Sequence, residues 1–445
     1  MSVRKLRLLP LVAVTYLIVS GGPYGLEDVV GGAGYLWALL LIAVVPVFWS
    51  LPTALMVGEL AGALPEEGGF YVWVRRALSP FWGFQEAWLS LAASIFDMAV
   101  YPALTVSYLA QLSPSLTAGH RGALWAFAIV AVCVAWNLRG AASVGGISTL
   151  LWAALLAPFV VMVVLAIGRA LMDPASAAGP HLTSPSNLRN AVLVLMWNTM
   201  GWDNASTVAR EVENPQRNYI RAMLLAVAAV TLTYLIPVAA VAMAGIPATN
   251  FATGSWAEVG AALGGRWLEI AIIAGGAITG IAIFNALTLS YARVPAAMAA
   301  DGLLPRVLAK HTSRGVPWVA VFACGTAWAL CSGMSFERLI ELDILLYGLS
   351  LVLEFAALIA LRVREPELRR PFRIPGGLGT AVTLSAMPTA LVLWALYAAR
   401  DERFSFAGYS APVLAVGAGV IAVGCLLYPL VQRAATLPRA SSSPH

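Results

Sequence analysis

The 445-residue chain is poor in charged residues and in long polar segments. Only 11% of its residues are charged, whereas 60% are hydrophobic, and its mean hydropathy is +0.81. Soluble globular proteins carry about 25% charged residues, so this composition excludes that class and predicts a protein embedded in the lipid bilayer. The formal net charge of +5 is the excess expected of basic loops at a membrane surface, and we expect no nucleic-acid partner.

Cysteine and histidine are equally scarce, with four residues of each type. The cysteines lie in apolar runs without the spacing of metal ligands, and the histidines lie in loops or in the tail. The chain also lacks a phosphate-binding glycine loop and an HExxH motif. These absences argue against an enzyme, and we expect neither a metal nor another cofactor.

Apolar runs long enough to cross a bilayer, about 20 residues each, occur twelve times. The basic N-terminus lacks a short apolar core with a cleavage site, so we expect the first run to remain as a span. Placing this end in the cytoplasm puts most of the 27 lysines and arginines on the cytoplasmic side. Both termini are therefore expected to be cytoplasmic, in a plasma or inner membrane. The predicted spans are 8–31, 36–62, 81–110, 122–138, 144–171, 187–209, 219–246, 265–298, 316–333, 338–361, 379–399 and 409–431.

Helix-breaking residues stand beside carboxylates in two of these spans. The first span contains SGGPYGLED at 20–28, and the sixth contains WNTMGWDNAS at 197–206. An interrupted helix in the membrane leaves backbone groups that a neighbour or a ligand must satisfy. Paired interruptions in corresponding halves of the chain predict an inverted-repeat transporter with its substrate near the middle of the membrane. A pair of tolerated kinks is the alternative.

Six sequence blocks, in order along the chain, resemble a known family. They are GGPYGLEDVVGGAG at 21–34, FWSLPTALMVGEL at 48–60, LPEEGGFYVWVRRALSPFWGFQEAW at 64–88, FDMAVYPAL at 96–104, WDNASTVAREVENPQ at 202–216 and LEFAALIALRVREPELRRPFRIP at 353–375. In these blocks the chain resembles the amino acid, polyamine and organocation (APC) transporters, and especially the polyamine uptake branch known from plants and protozoa.

The resemblance implies an all-α membrane protein that works by alternating access. It implies twelve transmembrane helices in a LeuT-like fold, with five plus five inverted spans, discontinuous helices 1 and 6, and two extra helices. The corresponding segments are a first repeat at 1–171, a second repeat at 187–361, the extra spans at 379–431 and a disordered tail at 432–445.

Carboxylates within the spans, with no lysine or arginine at mid-depth, predict a cationic substrate. An unpaired carboxylate in the membrane is costly, so each is expected to face a cavity, a proton or a cation. The candidate substrate-binding residues are Gly21, Gly22, Gly25, Glu27, Asp97, Tyr101, Trp202, Asp203 and Asn204. Glu354 is the candidate for proton coupling or an inner contact.

Structural roles for the same acids stay open at this point. Glu27 and Asp203 are placed where they could cap half-helices. Asp97 and Tyr101, four residues apart, lie on one helix face and could simply bond to each other. Glu354 could pair with Tyr347.

The predicted function is import of cationic amines such as putrescine or spermidine, by proton-coupled symport. A permease for cationic or neutral amino acids on the same fold is the alternative, with the glycine amides of the first span binding the substrate carboxylate. Some relatives use a membrane lysine in place of sodium, but the only lysines here are Lys5 and Lys310. A carboxylate must then carry any coupled proton. Sodium, bound with help from Thr288 or Ser290, and exchange without an ion remain open.

Overall fold

Helices form nearly all of the computed structural model, which describes residues 5–173, 185–248, 251–331, 336–406 and 409–436. Within these residues the α-helices are α1 Leu8–Val19, α2 Glu27–Phe48, α3 Ser50–Ala63, α4 Phe70–Ala77, α5 Pro80–Leu112, α6 Arg121–Asn137, α7 Ala141–Met172, α8 Leu188–Trp197, α9 Pro215–Met243, α10 Ser255–Gly264, α11 Arg266–Tyr291, α12 Arg293–Ala300, α13 Trp318–Cys331, α14 Phe336–Arg364, α15 Gly377–Ala398 and α16 Val413–Thr436. Short 3₁₀ helices occupy Pro114–Leu116, Trp202–Thr207, Ala209–Glu211, Arg306–Ala309 and Ala399–Asp401.

The long apolar helices indicate several membrane crossings. Among the described residues, eight helices or joined helix pairs are long and apolar enough to cross a bilayer, and three shorter apolar helices accompany them. Apolar side chains on α7 and α16 are largely exposed, as expected of surfaces that face lipid. The predicted count of twelve spans remains a prediction.

The first predicted span is not one helix. α1 ends at Val19, residues 20–26 are irregular, and α2 begins at Glu27. A second change of direction follows at Gly34, whose φ of 75° lies outside the helical region and is readily adopted only by glycine. The chain therefore leaves the helix at the glycine and proline residues where the sequence predicts a break.

The sixth predicted span differs more from a regular helix. α8 ends at Trp197, Gly201 takes a left-handed conformation with φ 90°, and Trp202–Thr207 continues as a 3₁₀ helix. The sequence predicts a half-helix on each side of this break, whereas the second half is two short 3₁₀ turns. The tighter turns arise where asparagine, serine and threonine side chains offer the backbone local hydrogen bonds.

Two further differences concern the C-terminal part. A two-stranded antiparallel hairpin, β1 Arg403–Phe406 and β2 Tyr409–Pro412, precedes α16, so the described chain is not purely helical. α16 also continues to Thr436, into the segment predicted as a disordered tail at 432–445. The rest of that tail lies outside the described residues.

The interior of the molecule is built around α5, α11 and α14. α11 and α14 both pack against α5, and many side chains of the three helices are buried. Both irregular segments lie against α11 as well, since Thr279 donates to the Gly21 carbonyl oxygen at 3.3 Å and Ser290 donates to the Asn204 carbonyl oxygen at 2.7 Å. The two breaks and these three helices therefore enclose one central region.

Candidate functional site

The break between α1 and α2 satisfies most of its own backbone groups. Gly22 and Gly25 have φ values of 74° and 90°, a conformation that side-chain-bearing residues rarely adopt. The Gly22 amide donates to Ser20 Oγ at 3.0 Å, and the Gly25 amide donates to Glu27 Oε2 at 2.7 Å. Two of the three glycine amides proposed to receive a ligand therefore already hold partners within the chain.

Glu27 ties this break to two other parts of the molecule. Its Oε1 accepts hydrogen bonds from the Tyr108 hydroxyl at 3.0 Å and from the Gly254 amide at 3.2 Å. The side chain is fully buried. These contacts are those of a carboxylate that caps a helix start and fastens α5 and the turn before α10. A direct substrate contact of Glu27 stays a prediction.

Asn198 brings the two breaks together. It follows the last residue of α8, and its Nδ2 donates to the carbonyl oxygens of Gly25 at 3.3 Å and Val194 at 2.9 Å. Its own carbonyl oxygen accepts the Tyr234 hydroxyl at 2.6 Å. Sequence reasoning identified Asn198 only as the end of a half-helix, because the approach of residue 25 to residue 198 has no local signal.

A small cavity lies beside this contact. Its volume is about 20 Å³, which suits one water molecule. Of the predicted residues, Gly21, Gly25 and Tyr101 line it, and Gly22, Glu27, Asp97, Trp202, Asp203, Asn204 and Glu354 do not. Asn198 and Thr279 supply further polar groups. A diamine needs more room, so binding requires this region to widen.

Asp97 lies directly behind the cavity. Its Oδ1 accepts the Tyr101 hydroxyl at 2.5 Å, which confirms that the two side chains share a face of α5. Its Oδ2 accepts the Tyr291 hydroxyl of α11 at 3.3 Å. The Tyr101 ring also stacks on Trp197, with ring centroids 6.3 Å apart. A cation in the widened cavity would therefore meet Asp97 once Tyr101 moves.

Asp203 is a second buried carboxylate near Tyr291. Its Oδ1 accepts the Tyr347 hydroxyl at 2.5 Å, and this hydroxyl oxygen accepts the Gly201 amide at 2.9 Å. Tyr291 lies within electrostatic range of both aspartates. Both carboxylates therefore lie near one tyrosine, although neither lines the small cavity.

The neighbours of Asp203 are engaged elsewhere. The Trp202 indole donates to the Thr199 carbonyl oxygen at 2.9 Å, and Asn204 Oδ1 accepts from Ser290 at 3.1 Å. Both side chains are buried. They stabilise the 3₁₀ turns in this arrangement, and their contact with a substrate stays a prediction.

Comparison with known proteins shows which family the chain resembles. Residues 8–434 match the model of a family described as amino acid permease. The chain is 34% identical to polyamine transporter PUT1 of Oryza sativa subsp. japonica, over 97% of this chain and 79% of the relative. It is 34% identical to polyamine transporter RMV1 of Arabidopsis thaliana, over 88% and 80%. A probable polyamine transporter of the same plant is 36% identical over 96% and 87%.

The chain belongs to the amino acid permease family. It is accordingly a multi-pass membrane transport protein and not an enzyme. The resemblance to polyamine transporters that the sequence blocks carry is confirmed by these relatives.

The permease holds two more acids against Asp203. Glu86 of α5 and Glu354 of α14 are fully buried, lie within electrostatic range of Asp203 and of each other, and have no hydrogen-bond partner at any carboxylate oxygen. The alternative pairing of Glu354 with Tyr347 is wrong, because that hydroxyl donates to Asp203 instead. Glu86 lies near the start of α5, yet it is as deeply buried as Asp203.

The acids of the permease form two levels along α5 and α14. Eleven residues separate Glu86 from Asp97 on α5, and eleven separate Asp343 from Glu354 on α14. Eleven residues are close to three helical turns, about 16 Å, so the acids of each helix share one face. Glu86 lies within electrostatic range of Glu354, and Asp97 lies within the same range of Asp343. This spacing was visible in the sequence, but the pairing of the helices was not.

The end of the permease below Asp203 is closed by backbone and charged contacts. Leu6 exchanges backbone hydrogen bonds of 2.8 Å with residues 211 and 213, and the Gly68 amide donates to the Thr207 carbonyl oxygen at 3.3 Å. Arg293 Nε donates to Glu211 at 2.6 Å. We call this set, with Glu67 and His311, the basal seal. It covers the side of the 3₁₀ turns that faces away from the cavity.

His311 adds a pH-sensitive contact to the basal seal. Its Nε2 lies 3.1 Å from Glu67 Oε1 and its Nδ1 lies 2.8 Å from the Ala309 carbonyl oxygen, so the doubly protonated ring satisfies both acceptors. The hydrogen bond with Glu67 raises the pKa of His311. Burial alone would raise the pKa of Glu67, but the His311 bond and the Arg293 and His311 charges lower it overall.

A prediction follows from the signs of these shifts. Because the pKa of His311 is raised, its protonated ring stabilises the fold below about pH 6.5, and this stability is lost as the pH rises through the folded-state pKa. The lowered pKa of Glu67 contributes stability above about pH 4.3. His311→Gln should therefore lower the apparent Tm more at pH 6 than at pH 8.5. The difference should not exceed about 1 kcal/mol because the pair is partly exposed. Thermal unfolding in detergent tests this, with exposed His120→Gln as the control; equal losses at both pH values contradict it.

Proposed function

We propose that this permease imports cationic amines such as putrescine or spermidine by alternating access, in a process coupled to protons. The relatives named as polyamine transporters support this proposal over nearly the whole chain. The central region supports it independently, through its charges and through the state of its backbone amides.

The charges of the central region match a cation. Asp97, Asp203, Glu86 and Glu354 are buried, and no lysine or arginine of the described residues donates to any of them. An ammonium group would supply the missing positive charge. A diamine has two such groups, which suits two acids near Tyr291.

The hydrogen bonds made by the amides of the first break decide our choice of an amine over an amino acid as the substrate. In transporters with broken helices, half-helix N-termini point at the carboxylate of an anionic substrate. Here Glu27 occupies the Gly25 amide and Ser20 occupies the Gly22 amide. The chain thus places its own carboxylate where an amino acid would place one. A substrate with ammonium groups and no carboxylate fits this arrangement better.

The proposed architecture assigns twelve spans to the helices of the structure. The broken first span joins α1 to the start of α2, and the broken sixth joins α8 to the 3₁₀ turns. The first five and the next five spans form the inverted repeats, at 1–171 and 187–361. α15 and α16 are then the two additional spans. The packing of both breaks at one central region supports this division.

The proposed orientation places both termini in the cytoplasm, in a plasma or inner membrane. The basal seal then closes the cytoplasmic side, and the contacts of Glu27 close the opposite side. Alternating access would open these closures in turn around Asp97 and Asp203. In this scheme Gly21, Gly25, Tyr101 and Asn198 line the substrate path, while Trp202 and Asn204 approach it when the 3₁₀ turns move. A proton acts through Glu354; a sodium ion remains the alternative coupling ion.

Uptake into proteoliposomes tests the proposed function. Labelled putrescine and spermidine should accumulate in vesicles that contain the permease, and arginine and leucine should neither accumulate nor compete. Vesicles with the Asp203→Asn variant and vesicles without protein serve as controls. Uptake of arginine or leucine in place of the amines would instead support the alternative, an amino acid permease on the same fold.

A further inference from the structure

The lower of the two acid levels differs from the upper one. At the upper level Asp97 accepts two tyrosine hydroxyls, whereas the Asp343 oxygens have no such partner among the described residues. At the lower level the four carboxylate oxygens of Glu86 and Glu354 accept nothing, although both side chains are fully buried. A buried polar group without a partner costs free energy, so this pair requires an explanation that packing alone does not give.

Within the part of the chain that the structure describes, no lysine or arginine pairs with Glu86 or Glu354 to balance their negative charge. The groups within electrostatic range of the pair are Asp203 and Tyr347, and the acids Asp97 and Asp343 lie one level away.

The arginines on neighbouring helices already hold other partners. On α4, Arg75 pairs with Asp301 and Arg76 pairs with Glu365. At the end of α14, Arg362 binds Glu59, and Arg364 donates to the Ala77 carbonyl oxygen. On α16, Cys425 accepts a hydrogen bond from Gln85, the neighbour of Glu86 in the chain. Each of the nearby arginines is therefore committed elsewhere.

Two neighbouring carboxylates in such a site cannot both remain ionised. Like charges at short range in a low-dielectric environment favour a shared proton. Neither Glu86 nor Glu354 lines the small cavity beside Asn198, and a proton, unlike an alkyl ammonium, needs no cavity to bind. We infer that Glu86 and Glu354 form a proton-binding dyad that gives up its proton when an ammonium group occupies Asp203.

Asp203 provides the link between the two ligands. It lies within electrostatic range of both glutamates, and its Oδ1 accepts the Tyr347 hydroxyl, which leaves Oδ2 for an ammonium group. A cation placed on Asp203 adds positive charge beside the dyad and weakens its hold on the proton. By linkage, a proton on the dyad weakens amine binding to the same extent. Opposed binding of this kind favours exchange of a proton for an amine over the symport expected from the sequence, and the membrane potential then drives import because a diamine carries more positive charge than one proton.

The inference rests on the proposed function, and proton release on amine binding tests it. Purified permease in detergent and weak buffer should release up to one proton per molecule when putrescine is added. Glu86→Gln and Glu354→Gln should each abolish the release, and the double variant should lose no more than either single one because the two residues act as a unit. Glu269→Gln, on an exposed ion pair of α11, should release as the wild type does.

The pH dependence of putrescine affinity distinguishes loss of the dyad from misfolding of a variant. Putrescine affinity of the wild type should fall up to tenfold per pH unit in acid, the limit for one linked proton. Either glutamine variant should flatten this dependence, whereas Glu354→Asp should retain it at a shifted pH. A flat profile in the wild type, an unchanged profile in Glu86→Gln, or proton uptake in place of release would each overturn the dyad.

The result also separates this inference from the proposed function. Wild-type permease that binds putrescine without moving a proton overturns the dyad alone. Wild-type permease that fails to bind putrescine overturns the proposed function, and the same release measured with arginine then decides whether the dyad stands.

Discussion

Replacement of Glu59 by alanine should destabilise the permease by about 3 to 5 kcal/mol, the cost of leaving a buried charge without its partner. Glu59 of α3 is fully buried and accepts Arg362 Nε at 2.9 Å, Arg362 Nη2 at 2.5 Å and the Ile374 amide at 2.8 Å. Arg370 adds an ion pair at 3.3 Å. Both guanidinium side chains are almost fully buried, so the substitution strands two positive charges.

The measurement is the apparent Tm in detergent, with the yield of folded protein as a second readout. Glu365→Gln is a matched control, because Glu365 pairs with Arg76 near the same end of α14 but is exposed to solvent. It should cost no more than about 1 kcal/mol. Equal losses for Glu59→Ala and the control would show that burial of the Glu59 network contributes nothing. Arg362→Met in the Glu59→Leu background should recover part of the loss, since an apolar replacement of both partners avoids stranded charge.

The sequence predicts the breaks because their cause is local. Gly21, Gly22 and Pro23 in one apolar run, and Gly201 in another, oppose a continuous helix wherever they stand. Asp97 and Tyr101 are likewise predictable, since positions four residues apart on a helix face the same way. Each of these expectations depends on neighbours in the chain, and each is visible in the structure.

The contacts of the site are not local, and the sequence misses them. The sequence leaves open a pairing of Tyr347 with Glu354, seven residues away on the same helix, but Tyr347 bonds to Asp203 on a segment more than a hundred residues distant. The glycine amides were taken as free because the return of Glu27 onto Gly25 depends on the turn geometry. Helix periodicity gives the face on which a residue lies, and only helix packing decides what that face meets.

The deep enclosure of Glu86 has a similar origin. It lies six residues from the start of α5, where solvent access is ordinarily expected, but α14 and the 3₁₀ turns cover it. Its eleven-residue spacing to Asp97 repeats the spacing of Asp343 and Glu354 in the opposite direction. An antiparallel pair of helices with equal spacings brings acids together at two levels at once. The spacing alone could not show that these two helices are partners.

Asp203→Asn should weaken putrescine binding roughly tenfold to a hundredfold. A charge-assisted contact is worth about 1.5 to 3 kcal/mol, and each 1.4 kcal/mol is a factor of about ten. The amide oxygen of asparagine can still accept the Tyr347 hydroxyl that Asp203 accepts at 2.5 Å, so the 3₁₀ turns should keep their shape. The substitution therefore removes the negative charge while preserving the local hydrogen bond, and equilibrium binding of labelled putrescine measures the effect.

Tyr347→Phe is the control that separates charge from hydrogen bonding. It removes the donor to Asp203 and the acceptor of the Gly201 amide, but it leaves the carboxylate charge in place. Its putrescine affinity should fall less than that of Asp203→Asn if the ammonium is held by charge. Should folded Asp203→Asn bind putrescine as tightly as the wild type and lose affinity for an amino acid instead, the diamine cradle of Asp203 and Asp97 is wrong. Asp203 would then hold an α-ammonium, and Glu27 would have to leave the Gly25 amide before a substrate carboxylate could reach it.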